Sequence, residues 1–313
     1  MADSGLRLPR VPESPATIGI IAPSGRLDPA RLEEGVGRLQ AAGHRVVLAD
    51  ESVRTWRYFA GTDAERLAGL HRLLEDPAID ILLAARGGYG LTRLLPAIDW
   101  QRVAATRKAF VGFSDFTAFN CAALARAGLV TLHGPMLASD FGDGEPDDYM
   151  VRHFQATLFG ERDEETIPGE HGFAPVAIRG PLWGGNLSLL AHLVGTPYLP
   201  VIESGILCVE EIAEEPYAVE RMFLQLHHAG ILQRQQAILL GDFRDCAPKN
   251  CVRYPYSMPE VIETLRGIFP GPVLTGLPFG HVARKLTLPF GITAELSLRP
   301  YDWSLRWPGL GSI

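Results

Sequence analysis

The sequence predicts an α/β protein with a mostly parallel sheet in its N-terminal part and a smaller, β-rich C-terminal domain. Three observations lead there. Short apolar runs alternate with helix-periodic segments through roughly the first 135 residues, the pattern of parallel strands covered by helices. An acidic stretch rich in Gly and Pro then breaks the alternation, and strand-like runs become more frequent beyond it. The 313-residue length suits two domains, an N-terminal one over 1–145 and a C-terminal one over 176–313, with a linker over 146–175.

The first strand is TIGIIAP, residues 17–23, apolar until the turn residues Pro23, Ser24 and Gly25. Leu32, Val36 and Leu39 follow at helical spacing, and Gly43 stands where a glycine stops a helix. HRVVLA, 44–49, reads as the second strand. Thr62, Asp63, Ala64 and Glu65 match a capping box, and Leu67, Leu70 and Leu74 continue that helix. IDILLAA (79–85), KAFVG (108–112) and LVTLHG (129–134) are the remaining strands of the first part. Sheets of this kind bind ligands beyond the carboxyl ends of their strands. Those ends carry Pro23-Ser24-Gly25, RGGYG (86–90), Phe113-Ser114-Asp115 and His133-Gly134-Pro135.

In the C-terminal part PVAIRG, GILCVEE, QAILLGDF, KLTLPFG and TAELSL read as strands. Helical patterns remain over 187–194, 217–226 and 259–268, and 294–298 alternates as a half-buried strand does.

Composition excludes several classes of function. A hydrophobic content of 47% with 21% charged residues is that of a globular protein with a substantial core. The net charge of −7, with no run of Lys or Arg, argues against nucleic acid or an anionic membrane surface as partner. No segment approaches the roughly 18 apolar residues of a membrane span. The first residues, MADSGLRLPRVPESPAT, lack the apolar centre of a signal peptide, so a cytoplasmic protein is expected. Of the four cysteines, Cys246 and Cys251 lie close together, but CAPKNC has no companion pair at zinc-site spacing. Cys121 and Cys208 are isolated, and the adjacent His227 and His228 cannot share one helix face. Neither a metal nor another cofactor is expected.

The chemistry centres on KAFVGFSDFTAFNCAAL, residues 108–124. A strand runs into Gly112, Phe113, Ser114 and Asp115 and straight on into a helix. Such an elbow lifts a serine out of the sheet and exposes it as a nucleophile, although turns and helix caps favour serine for structural reasons alone. A nucleophilic serine needs oxyanion donors, a base and a group to orient the base. Backbone amides at the helix start, that of Asp115 first, and the glycines of RGGYG are candidate donors. The same loop lacks the spacing of a nucleotide-binding motif. Among nine histidines, His133 and His281 stand at element junctions, where proton transfer is accessible. For the orienting acid, Glu210 and Glu211 follow the apolar run 206–209, and on a strand they face opposite sides. An inward glutamate there needs a partner such as imidazole.

RGGYG, Gly112-Phe113-Ser114-Asp115, Gly184-Gly185-Asn186-Leu187, Val209-Glu210-Glu211 and Gly280-His281 occur in this order, and together they resemble the serine LD-carboxypeptidases, or muramoyltetrapeptide carboxypeptidases. The resemblance runs from IGIIAPSG to LTLPFG, nearly the whole chain. It implies a Rossmann-like N-terminal domain and a β-rich C-terminal domain that share a Ser–Glu–His triad. The roles fall on Ser114, Glu210 and His281, with oxyanion donors at Asp115 and at Gly87 or Gly88. The usual acidic pair of the family is Glu-Asp, where this chain has Glu210-Glu211, which leaves the role of Glu211 open. Arg86 and Asn186 are the candidate substrate-binding residues, with a structural ion pair as the alternative for Arg86. The resemblance further implies a cofactor-free homodimer that releases a terminal D-alanine from a murein tetrapeptide, a small peptide substrate. Relatives of microcin-C immunity type, which cleave peptidyl-adenylates, and a non-catalytic binder of wall fragments are the alternatives.

Overall fold

The computed structural model describes residues 5–10, 14–160, 162–249 and 256–310. The first part alternates as the sequence predicts. Strand β1 (Thr17–Ile21) is followed by helix α1 (Pro29–Ala41), β2 (Arg45–Leu48), α2 (Asp63–Glu75) and β3 (Ile81–Ala84). Then come α3 (Trp100–Ala105), β4 (Ala109–Val111), α4 (Thr117–Ala127) and β5 (Thr131–His133). Helix α2 starts at the expected capping box, with Thr62 and Glu65 exchanging side-chain and backbone hydrogen bonds. All five strands pair in parallel. Apart from the half-buried edge strand β2, both faces of this sheet are buried, which is why its inner strands read as unbroken apolar runs. Ile18, Ile20, Leu83 and Val111 pack toward α1, while Leu82 and Phe110 pack with residues of α2 and α4.

The stretch 146–175, read from the sequence as a linker, contains regular structure. Helix α5 (Asp148–Phe159) is capped by the Asp147 carboxylate, which accepts from the amides of Tyr149 and Met150. Strand β6 (Arg162–Pro168) pairs along its whole length at the edge of a second sheet. Its charges hid it: an edge strand needs only one or two inward apolar residues, here Ile167, and carries charge elsewhere.

The second part continues with β7 (Val176–Asn186), α6 (Leu187–Leu193), β8 (Gly205–Ile212), α7 (Pro216–His228) and β9 (Gln235–Arg244). It closes with α8 (Met258–Ile268), β10 (Val273–Thr275), β11 (Leu288–Phe290), β12 (Thr293–Arg299) and β13 (Asp302–Pro308). Seven strands in the order β10-β9-β8-β7-β12-β13-β6 form the second sheet, parallel from β7 to β10 and antiparallel on the other side. KLTLPFG departs from the expectation of a strand within the C-terminal sheet. Its strand β11 crosses back and pairs antiparallel to β5, so the first sheet has the order β11-β5-β4-β3-β1-β2. One apolar cluster runs across both parts, from Phe110 and Phe119 to Trp183, Leu190 and Val209. The strand exits of the first sheet therefore face residues delivered by the second.

Cys121, Cys208 and Cys246 are buried free thiols, with burial pushing the Cys121 thiol up to about 12, and Cys251 lies outside the described residues. No helix among the described residues is long and apolar enough to cross a membrane.

Candidate active site

The elbow forms because the chain must leave β4 and enter α4 with Phe113 and Phe116 both buried. Phe113 is still extended, and the turn then falls on Ser114, whose φ is +60°. A left-handed backbone at a non-glycine residue is strained and is retained where the surroundings fix it. The turn Ser114–Phe116 leads directly into α4.

Ser114 Oγ lies 3.0 Å from Nε2 of His281, and Nδ1 of that imidazole lies 2.7 Å from Oε2 of Glu210. Glu210 is fully buried and His281 is 16% exposed. A carboxylate only accepts, so Nδ1 carries the proton and Nε2 is left free to accept from the serine hydroxyl. The edge of the imidazole packs on the Phe113 ring, 4.9 Å between centroids. Gly280, at φ +108°, lets the chain pass against the acid: a Cβ there would stand 2.7 Å from Glu210 Oε2.

Of the two histidines left open by the sequence, the structure brings His281 to the serine. His133 is 1% exposed and stacks on Phe279 at 4.1 Å. Burial, with the nearby Lys285 charge adding to it, pushes its pKa well down and keeps it neutral.

Strand alternation separates the two glutamates, aided by a register shift against β9 between Val209 and Glu211. Glu211 turns away from His281. Its carboxylate accepts from Asn186 Nδ2 at 2.9 Å and from the amides of Ser188 at 2.7 Å and Ile212 at 2.9 Å. Burial is the main influence on it and raises its pKa. Asn186, placed among substrate-binding candidates by the sequence, is only 3% exposed. Its Oδ1 accepts from Ser188 Oγ and the Leu189 amide, so the side chain caps α6. The preceding Gly185 has φ +127° and lies against α4, where a Cβ would meet Thr117 Oγ1 at 2.5 Å. That hydroxyl accepts from the Asn186 amide, tying β7 to the helix that follows the serine.

The glycine loop presses on the serine from the other side. A Cβ on Gly87 would stand 2.6 Å from Ser114 Oγ and 3.4 Å from the Asp115 nitrogen. The loop backbone and the Asp115 amide thus flank the same small space beside the hydroxyl. The Gly87 carbonyl accepts from Gly25 N and from Arg86 Nε, while Arg86 Nη1 reaches the Arg26 carbonyl at 2.7 Å. Arg86 also lines a cleft of about 510 Å³ with Arg26, Ser52 and Thr55. Its described partners are backbone carbonyls, in place of the ion pair considered from the sequence. Gly88, at φ +106°, lies in the exposed part of the loop beneath the Tyr58 hydroxyl.

Three contributors escape a reading by motif. The Asp115 side chain accepts from Ser24 Oγ at 2.6 Å and the Leu91 amide at 2.9 Å, where the sequence suggests only its backbone. Lys285 and Asp140 form a buried ion pair at 2.5 Å, with the ammonium 4.0 Å above the Phe113 ring. Arg66, on α2, is fully buried beside the glycine loop. An isolated Lys or Arg in an amphipathic segment gives no local sign of burial; only the closed polar partners do.

Models of the LD-carboxypeptidase N-terminal domain and C-terminal domain match residues 18–134 and 179–296. A probable murein peptide carboxypeptidase of Bacillus subtilis is 35% identical over 290 residues, covering 90% of this chain and 88% of the relative. The solved muramoyltetrapeptide carboxypeptidase of Oxalobacter formigenes superposes with a TM-score of 0.87 at 39% identity, over 94% of this chain and 98% of that one. The microcin C7 self-immunity protein MccF of Escherichia coli is 29% identical over 84% of each chain. With both domain models matched in order and the fold shared almost end to end, the chain belongs to the LD-carboxypeptidase family.

Proposed function

We propose that the protein is a serine LD-carboxypeptidase that hydrolyses an L,D-peptide bond and releases the terminal D-alanine of a murein tetrapeptide, as in cell-wall recycling. The hydrogen-bonded chain from Ser114 through His281 to Glu210 is the observation that carries this reading.

His281 Nε2 takes the Ser114 proton as Oγ attacks the scissile carbonyl carbon. Glu210 holds the Nδ1–H tautomer and stabilises the imidazolium, and its full burial strengthens that interaction. Charge developing on the carbonyl oxygen is met by the Asp115 amide and the amides of Gly87 or Gly88. Collapse of the tetrahedral species breaks the C–N bond, and His281 returns the proton to the departing amine of D-alanine. A water, deprotonated by the same imidazole, then attacks the acyl-enzyme and regenerates the serine. Arg86 lines the neighbouring cleft and is a candidate for an anionic group of the substrate. No metal enters this chemistry. A cytoplasmic homodimer is part of the same proposal; sedimentation analysis tests the assembly.

Incubation with a murein tetrapeptide is expected to give tripeptide and free D-alanine, both lost in Ser114→Ala. No cleavage of the tetrapeptide, with cleavage of a peptidyl-adenylate, would instead assign the reaction suggested by the likeness to the microcin immunity protein. No turnover of either would leave the wall-fragment binder.

A further inference from the structure

The strand exits at Pro23-Ser24 and at Gly90-Leu91 are joined twice, once by an anion and once by a cation. Asp115 accepts from Ser24 Oγ and from the Leu91 amide. Arg66 donates through Nη1 to the Pro23 carbonyl and to the Gly90 carbonyl, the latter at 3.1 Å. The two clamps hold adjacent residues of the same two segments. Gly90 has φ +135°, and a Cβ there would stand 2.7 Å from Arg66 Nη1, so the glycine is what admits the guanidinium. The second arm of Arg66 reaches Asp63 Oδ1 at 2.5 Å, and Cζ of its guanidinium lies 4.6 Å from the centre of the Phe59 ring. Asp63 in turn holds Arg93, whose hydrogen bonds are the main reason its carboxyl stays below the usual range.

Leaving a guanidinium fully buried is costly unless its donors are satisfied in fixed directions. Here both terminal nitrogens are held, Nη1 by the Pro23 and Gly90 carbonyls and Nη2 by Asp63, while Nε has no partner among the described residues. The two carbonyls tie the end of the loop whose Gly87 faces Ser114 to the exit of β1. Building on the proposed serine chemistry, we infer that Arg66 is the positioning residue of the oxyanion cradle. It fixes the end of the glycine loop against β1 so that the loop amides meet the oxyanion at the right place, and it touches no reacting atom. The Asp115 side chain couples the same loop to the elbow, so serine, Asp115 amide and loop move as one unit.

The test uses the intact protein with Arg66→Met and Arg66→Lys. In Arg66→Met, kcat for D-alanine release should fall on the order of 10²-fold with KM changed less than about threefold, as for a misplaced oxyanion donor. Amide hydrogen exchange over residues 87–91 should quicken by at least about tenfold while exchange in β3 and β4 is unchanged. Arg66→Lys keeps the charge but not the fork and should fall between the two, and it reads the loop if the Met variant does not fold. A folded variant with kcat within about threefold of the parent overturns the inference. So does unchanged exchange over 87–91. The exchange measurement needs no substrate. A parent protein inactive on tetrapeptide would therefore count against the proposed function alone, with the loop clamp still decided by exchange.

Discussion

His281 Nε2 stands 3.0 Å from Ser114 Oγ although 167 residues separate them in the chain. The serine leaves β4 of the first sheet, and the histidine lies in the connection that runs from β10 of the second sheet back to β11 of the first. The same crossover that adds an antiparallel edge strand to the first sheet thus delivers the base.

Ser114 should be indispensable. Ser114→Ala is expected to fold and to lose on the order of 10⁴-fold or more in kcat. Because the residue has φ +60°, Ser114→Gly should also be inactive and melt above Ser114→Ala, the glycine avoiding strain of about 1 kcal/mol. Retention of roughly a tenth of the activity in either variant would remove the serine from the mechanism.

The two glutamates should separate by readout. Glu210→Gln keeps the shape but loses the charge beside His281, and kcat should drop roughly 10²- to 10⁴-fold with KM little changed. Glu211→Gln replaces a carboxylate that accepts three hydrogen bonds at the start of α6. It should lower stability by about 1–3 kcal/mol, the cost of leaving a buried donor unmatched, with a smaller effect on kcat. An inactive but fully stable Glu211→Gln, beside a working Glu210→Gln, would reverse the assignment.

Two glycines should tolerate no side chain. In Gly87→Ala the methyl would fall 2.6 Å from Ser114 Oγ, and in Gly280→Ala it would fall 2.7 Å from Glu210 Oε2. Gly87→Ala should lose on the order of 10²- to 10³-fold in kcat through the displaced loop amides. Gly280→Ala should also lose stability, since its φ of +108° disfavours any side chain. Steady-state kinetics with thermal melts would check both, and a fully active Gly87→Ala would show that the loop does not abut the reacting centre.

Glu51 should make stability depend on pH. It is 1% exposed, its carboxylate lies against Gly69 of α2, and burial raises its pKa from 4.5 to about 7. Below the unfolded value both states hold the proton. Between about 4.5 and 7 the folded state alone keeps it, so stability falls as pH rises, by about 3 kcal/mol in all. Above that window the loss is complete. Glu51→Gln should therefore gain on the parent between pH 5 and pH 8 in urea midpoints, to an extent set by that window. An equal difference at both pH values would show that the carboxyl is not shifted.

Much of the fold was legible because its causes are local. Apolar runs buried on both faces marked β1, β3 and β4, a capping box opened α2, and the turn at Ser114 followed from a strand meeting a helix. The family likeness named Ser114, Glu210 and His281 in advance, while the residues alone left His133 and His281 level. What separates the histidines is distance in space: one stacks on Phe279 in the core and the other spans Glu210 and Ser114.

The sequence by itself determined where the strands of the first sheet end, which turns need glycine and which residue types can carry acyl transfer. For the strand read from Pro175 it set the end at Gly180, where β7 runs on to Asn186. Tertiary structure alone decided that β11 joins the first sheet, that 148–159 and 162–168 pack as helix and edge strand, and that Asn186 caps α6 and is held by Glu211. It alone buried Arg66 between Pro23 and Gly90. Local conformation is written in neighbouring residues, through backbone sterics and hydrophobic period. Partners across the chain are chosen by the pairing of buried donors, acceptors and apolar faces once the two sheets have closed on each other.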